Sequence, residues 1–472
     1  MNNSEQMGGS IEVNEKKLSH RAKWSGKWAF ILAAAGSAVG LGNLWRFPYL
    51  AAKYGGGIFL LTYAVLVFTL GLSLLLLETA LGRKTGKSAI ESFKSFGKKY
   101  AFIGVLTSVI PFIITPYYSI IGGWVMKYAA GYLINGPEAL ADKGVFFGSF
   151  INSNFESYFW MLLFMAVAFI IVALGVKGGI EKANFILMPT LVVMAIGISV
   201  FTALQPGAID GILYYLTPDF SKFSPELLIG ALGQMFYSLS LAMAIMITYG
   251  SYLSKKESLT QSVARIGGFD FGVSLLAGFM IVPAAFVAFG SGEAVSAADG
   301  PSLMFITLPQ VFTNMGNAAV IIGFVFFLLV FFAALTSAIS LTEACVSVIH
   351  DRFGWSRKKS LISVIIIVTL SGIFINAGYN SLSFIEPLGP GTTLLDFFDF
   401  ITNSVMMPIA ALLTCIFVGW IIKPQVLVDE IKLSSSFKLE KMWTFIIKYV
   451  APILVFVILV AFVAKQFGLF SI

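Results

Sequence analysis

Long apolar runs alternate with short polar ones along this chain. Eleven of them reach the roughly 20 residues that a helix needs to cross a bilayer. They fall near 28–52, 57–81, 104–134, 158–176, 183–203, 227–252, 264–289, 318–349, 360–378, 394–422 and 444–467. The pattern predicts an all-α integral membrane fold. Two runs are interrupted at mid-span. The first holds Gly36, Ser37, Ala38, Val39, Gly40, Leu41, Gly42, Asn43, Leu44, Trp45, Arg46, Phe47 and Pro48 in unbroken order. A continuous membrane helix has no use for three glycines, an amide, a guanidinium and a proline in so short a stretch. Broken backbone at that depth survives only where protein buries it or a cavity solvates it. This run therefore predicts two half-helices joined by an unwound hinge.

The sixth run gathers Gln234, Tyr237, Ser238 and Ser240 before an apolar pattern resumes towards Tyr252. Alone, such hydroxyls equally suit a helix packing face. Their place in the chain changes the weighing. Runs 1 and 6 open two sets of five, and interrupted segments in matching positions point to an inverted repeat with a binding site at the midplane. The expected organisation is a cytoplasmic N-terminal tail over 1–26, a first five-helix repeat over 27–203, an inverted second repeat over 227–422, and an extra helix over 444–467.

Hydrophobic residues fill 58% of the 472 positions and charged ones 12%, too little charge to cover a soluble surface of this size. The net charge of +7 could suit nucleic acid, but the basic residues sit in short loops without interleaved exposed aromatics. With the N-terminus inside, 24 of the 31 Lys and Arg fall on the cytoplasmic side, whereas the opposite loops carry acids. That bias predicts a cytoplasmic N-terminus and, after eleven crossings, an extracellular or periplasmic C-terminus. Cys345 and Cys415 lie in apolar helices, where packing is expected rather than a disulfide. His20 and His350 offer no metal-ligand spacing, and no nucleophile with a base is visible, so an enzyme is not expected.

Three stretches are long, ordered motifs: Gly36 to Pro48, Phe236 to Ala244, and Ala333-Ala334-Leu335-Thr336-Ser337 in the eighth run. Together they resemble the neurotransmitter:sodium symporter family, and its eleven-helix bacterial amino-acid members most of all. The likeness runs from Arg21 through Asp399. It implies a LeuT-like fold, a 5+5 inverted repeat plus one extra helix, with helices 1 and 6 unwound at mid-membrane. It also implies sodium as coupling ion, two ions in number, with no organic cofactor. The first sodium would take the Ala38 carbonyl, Asn43, Ser238 and Asp270. The second would take the carbonyls of Gly36, Val39 and Ala333 and the hydroxyls of Thr336 and Ser337. Sodium prefers oxygen, and unwound backbone supplies carbonyls that no helix consumes. On the residues alone, hydrogen bonding to their own helix is the favoured reading of Thr336 and Ser337.

The same resemblance places an amino-acid carboxylate at the N–H groups around Leu41 and Gly42 and at the Tyr118 hydroxyl, where a half-helix dipole favours it. Ser37, Ala38, Ser238 and Ser337 would border the amine and carboxylate. The side chain would meet Ile114, Tyr118, Tyr237, Ser240, Met243 and Leu341. Amine carriers of the family place an Asp where this chain has Gly40, so a true amino acid is expected. The pocket is uncharged, which suits a hydrophobic L-amino acid, aromatic ahead of branched aliphatic. Many animal relatives require chloride beside the first sodium. Here Ser274 stands where bacterial relatives carry a Glu, while Asp270, one turn earlier, replaces the sodium-ligand Asn. Asp270 is expected to supply the fixed negative charge, making transport chloride-independent.

Arg46 and Asp399 are the expected outer gate, with Asp396 as the rival acid. Arg21 with Asp351, and Trp24 beside Ser251 and Tyr252, are the expected inner gate. Gly179 and Pro189 bracket a segment of helix 5 that relatives with this spacing can unwind, and Glu78 is expected to brace the hinge of helix 1. The implied protein is a multi-pass symporter of the bacterial inner membrane, embedded in lipid, importing its substrate by alternating access. A non-transporting amino-acid receptor and an ion channel are the alternatives. The unlike hinges suit occluded binding better than a pore.

Overall fold

The computed structural model describes residues 22–297 and 300–469. Nine continuous helices among these residues are long and apolar enough to span a membrane. They are α2 (Gly57–Thr85), α3 (Lys98–Ile134), α4 (Glu156–Ala173), α5 (Val176–Ala203), α7 (Leu259–Phe289), α8 (Gly316–Phe353), α9 (Arg357–Tyr379), α10 (Leu394–Ile421) and α11 (Glu440–Gln466). The remaining two spans, α1 and α6, are broken. The halves of α1, Lys27–Ala38 and Gly42–Lys53, meet at 54°. The halves of α6 are Pro225–Ser238 and Ile245–Ser251. The predicted tail lies largely outside the described residues.

Local chemistry accounts for both breaks. In α1, Val39 turns extended at φ −76° and ψ 107°, and the chain re-enters helix as the π-helical turn Gly42–Arg46. Pro48 falls in the first turn of the α-helical piece Phe47–Lys53, where its missing N–H is harmless. In α6, Ser240, Ala242 and Ala244 all adopt positive φ, at 52°, 61° and 60°. Side chains with a Cβ resist that region by roughly 1 kcal/mol or more per residue.

What holds the α6 break is Glu78 of α2. Its Oε1 accepts the Ala242 N–H at 2.7 Å, and the whole side chain is buried. The expectation that Glu78 braces helix 1 is therefore corrected. The carboxylate serves the helix whose N–H groups the positive-φ residues leave without a helical acceptor.

The second half of α6 is set tightly on α2. A Cβ on Gly82 would stand 1.9 Å from the Ile247 carbonyl oxygen, and one on Gly250 would stand 2.4 Å from that of Thr79. Backbone atoms cannot swing aside as a side-chain tip can. We expect Gly82→Ala to cost about 1–3 kcal/mol of stability, the usual range for overpacking. Thermal unfolding of the purified variant should show a clear drop. Gly268→Ala is the control, since a Cβ there meets nothing within 4 Å. Equal melting of the two variants would refute this packing account.

α3 and α8 make the most extensive helix pair, and α1 and α6 lie against this frame. Cys345 and Cys415 are both free and buried. The segment between Gly179 and Pro189 is wound in this structure, where Val176–Glu181 is a π-helical turn continuous with the α-helix Lys182–Ala203.

Candidate functional site

The two breaks face one cavity, lined from α1 by Ser37, Ala38, Gly40, Leu41, Gly42 and Asn43. From α3 come Ile114 and Tyr118, and from α8 Ser337 and Leu341. Tyr237, Ser238, Ser240, Met243 and Ile245 come from α6. No lining residue is charged. Every predicted substrate contact lies on this cavity. Ile245 also lines it and was not foreseen, because a helical register cannot be carried across six non-helical residues. At one wall Leu41 N–H donates to Tyr118 Oη at 3.3 Å, and Gly40 N–H donates to Asn43 Oδ1 at 2.9 Å. At the other, Ser240 Oγ donates to the Ser37 carbonyl at 2.8 Å, tying one break to the other.

Two polar clusters flank the cavity. In the first, the fully buried Asp270 is ringed by donors. Its Oδ1 accepts from Ser238 Oγ at 2.5 Å and Asn43 Nδ2 at 2.8 Å, and its Oδ2 accepts from Tyr63 Oη at 3.0 Å. Asn43 Nδ2 also reaches Ser274 Oγ at 2.9 Å. Tyr63 was not foreseen, since only the fold brings α2 here. In the second cluster, Ser337 Oγ lies 3.4 Å from the Gly36 carbonyl oxygen, 3.2 Å from that of Ser37 and 3.3 Å from that of Val39. One hydroxyl proton cannot satisfy three carbonyls. The surplus of lone pairs could hold a cation. Thr336 Oγ1 adjoins this cluster and donates to the Ala333 carbonyl at 3.0 Å. Its hydroxyl thus bonds its own helix, the reading that the residues alone favour.

Beyond the cavity, towards Arg46, a wider vestibule opens. Tyr237 lines both and forms the partition. Arg46 and Asp399 both face the vestibule, but no ion pair within 4.0 Å joins them. The guanidinium instead lies over two rings, 5.7 Å from Tyr237 and 5.8 Å from Phe462. Asp399 Oδ1 accepts from Asn403 Nδ2 at 2.6 Å. The rival Asp396 is engaged in a capping box with Thr393 at the start of its own helix.

The opposite end is shut. Trp24 N–H donates to the Tyr252 carbonyl at 3.2 Å, and its indole N–H donates to that of Tyr249 at 3.0 Å. The indole also stands edge-on to the rings of Tyr249 and Tyr252, at 5.1 and 6.0 Å. Ser251 Oγ donates to the Thr248 carbonyl. Ser25 donates to Glu181 of α5 through both its hydroxyl and its N–H. Asp351 accepts the Ser88 N–H at 2.6 Å, while Arg21 lies outside the described residues. Nearby, Arg357 grips the buried Glu343 with two nitrogens, at 2.8 and 2.6 Å, and Tyr252 Oη donates to the same carboxylate. Neither Arg357 nor Glu343 was foreseen, as nothing in the spacing of these residues marks them.

Two half-broken spans, an uncharged midplane cavity and oxygen clusters beside it define a secondary transporter built on broken helices. Comparison with known proteins agrees. Residues 21–135 and 151–469 match the sodium:neurotransmitter symporter family. The chain is 33% identical over 465 residues to an uncharacterized sodium-dependent transporter of Haemophilus influenzae, covering 93% of this chain and 98% of that one. It is 36% identical to another of Methanocaldococcus jannaschii, covering 92% and 89%. The crystal structure of MhsT in complex with L-phenylalanine superposes with a TM-score of 0.82 at 36% identity, over 93% of this chain and 99% of that one. This chain belongs to the sodium:neurotransmitter symporter family and has the LeuT-like fold. It is a multi-pass, sodium-dependent transporter, not an enzyme.

Proposed function

We propose that this protein imports a hydrophobic L-amino acid, aromatic by preference, together with two sodium ions and without chloride. The observation that carries the substrate reading is the cavity itself, which has no charged lining and offers N–H and hydroxyl donors at one wall. The similarity to MhsT, solved with L-phenylalanine, supports it. The carboxylate is taken by Leu41, Gly42 and Tyr118. The side chain lies among Ile114, Tyr237, Met243, Ile245 and Leu341, where the deformable Met243 can settle against a ring.

Asp270, Asn43, Ser238 and the Ala38 carbonyl hold the first sodium. The carbonyls of Gly36, Val39 and Ala333 hold the second with Thr336 and Ser337. A charge crossing 100 mV is worth about 2.3 kcal/mol, so two ions supply about three decades of accumulation. The Trp24 end faces the cytoplasm and the Arg46 end faces outward, in keeping with the distribution of Lys and Arg. The membrane is the inner membrane of a bacterium. Arg46 closes over bound substrate by exchanging its rings for Asp399, a modest pair suited to breaking each cycle.

Proteoliposome uptake of labelled L-phenylalanine tests this reading. Uptake should require a sodium gradient and persist when gluconate replaces chloride. Tryptophan, tyrosine and leucine should compete. Block by valine with none by aromatic amino acids would overturn the preference, and single-channel current would favour a pore.

A further inference from the structure

One buried amide beside the second oxygen cluster has an oxygen with no partner. Asn184 lies near the start of α5, where the π-helical turn gives way to α-helix, and it is fully buried. Its Nδ2 donates to the Ile180 carbonyl at 2.8 Å, which fixes the plane of the amide. The flipped assignment would set two carbonyl oxygens against each other, so the hydrogen bond decides the orientation. The remaining atom, Oδ1, is buried without a hydrogen-bond partner.

That oxygen is aimed at α1. A Cβ on Gly36 would stand 2.2 Å from it and 3.1 Å from Thr336 Cβ. Asn184 Oδ1 therefore shares one confined spot with two members of the second sodium set, and only a glycine at position 36 leaves room for it. A buried carbonyl oxygen with no donor is costly, and a cation satisfies it.

We propose that Asn184 Oδ1 is a further oxygen donor to the second sodium, the one that α5 supplies. The inference rests on the two-ion reading above. It means that the ion ties α5 to α1 and α8. Loss of the ion leaves the amide oxygen without a partner again.

The test uses the full chain in lipid nanodiscs, with radioactive sodium binding and with amino-acid uptake after reconstitution. Asn184→Ala and Asn184→Leu should each raise the half-saturating sodium concentration about tenfold, the scale of losing a supporting ligand group. The KM for amino acid at saturating sodium should stay at the wild-type value. Asn184→Asp keeps an oxygen for the ion but sets its second oxygen against the Ile180 carbonyl, so it should bind sodium more tightly than Asn184→Ala and Asn184→Leu. Unchanged sodium dependence in Asn184→Ala, or equal loss of sodium and substrate affinity in all three variants, would overturn the proposal. Saturation of the wild type at one sodium would overturn the two-ion reading as well, so the two failures are distinct.

Discussion

Asp270→Asn should turn a chloride-independent transporter into one that needs chloride. The substitution keeps the shape and removes the charge. A unit charge about 4 Å from a cation is worth about 4 kcal/mol at an effective dielectric of 20. Relaxation and water recover part of that, so the sodium requirement in gluconate should rise about a hundredfold. Chloride should restore much of the loss. The reason is the geometry around the lost charge. Hydroxyls of Ser238 and Tyr63 point at the carboxylate, and that of Ser274 lies beside them. Without the carboxylate they form a nest of donors for a small anion. Sodium-dependent uptake in chloride and in gluconate, for wild type and variant, decides the matter. Wild-type behaviour of the variant in gluconate would remove Asp270 from the ion chemistry.

Gly40→Asp should abolish amino-acid uptake. A Cβ at this position would stand 2.8 Å from Ser337 Oγ and 3.0 Å from Tyr118 Oη, so the new side chain enters the cavity at its polar wall. Its carboxylate would claim Tyr118 and the nearby N–H groups that the substrate carboxylate needs. Two carboxylates at about 4 Å repel by about 4 kcal/mol at the same dielectric. A loss of at least about a hundredfold in affinity for L-phenylalanine follows. Phenethylamine, which lacks the carboxylate, should bind the variant better than it binds wild type. An unchanged KM for phenylalanine would mean that the carboxylate lies elsewhere.

Much of the architecture was legible in the chain, and the residues show why. The first break announces itself because Gly36, Gly40, Gly42, Asn43 and Pro48 are costly in any continuous membrane helix. The second is quieter. Its hydroxyls could belong to a packing face, and the residues at positive φ are Ser240, Ala242 and Ala244 rather than glycines. What holds them there is Glu78, more than 150 residues away, together with the close seat of α6 on α2. The cavity lining followed from motif likeness, yet Ile245 did not, because the register is lost across the break. Tyr63, Phe462 and Asn184 were invisible for another reason. Each is an ordinary residue of an apolar helix until folding sets it beside Asp270, Arg46 or Gly36.

The seat of α6 on α2 bears on how the protein is made. The half-helix Ile245–Ser251 has seven residues, about 10 Å of rise, against a hydrocarbon core of about 30 Å. So short a piece cannot enter lipid as an independent segment, since its free N–H and carbonyl groups would have no partners there. It must find α2 and Glu78 as it arrives, with α1 and α2 already waiting in the bilayer. Insertion and packing are then a single event for this stretch. Damage at Gly82 would accordingly show first as chains cleared during synthesis, before any change in transport rate could be measured.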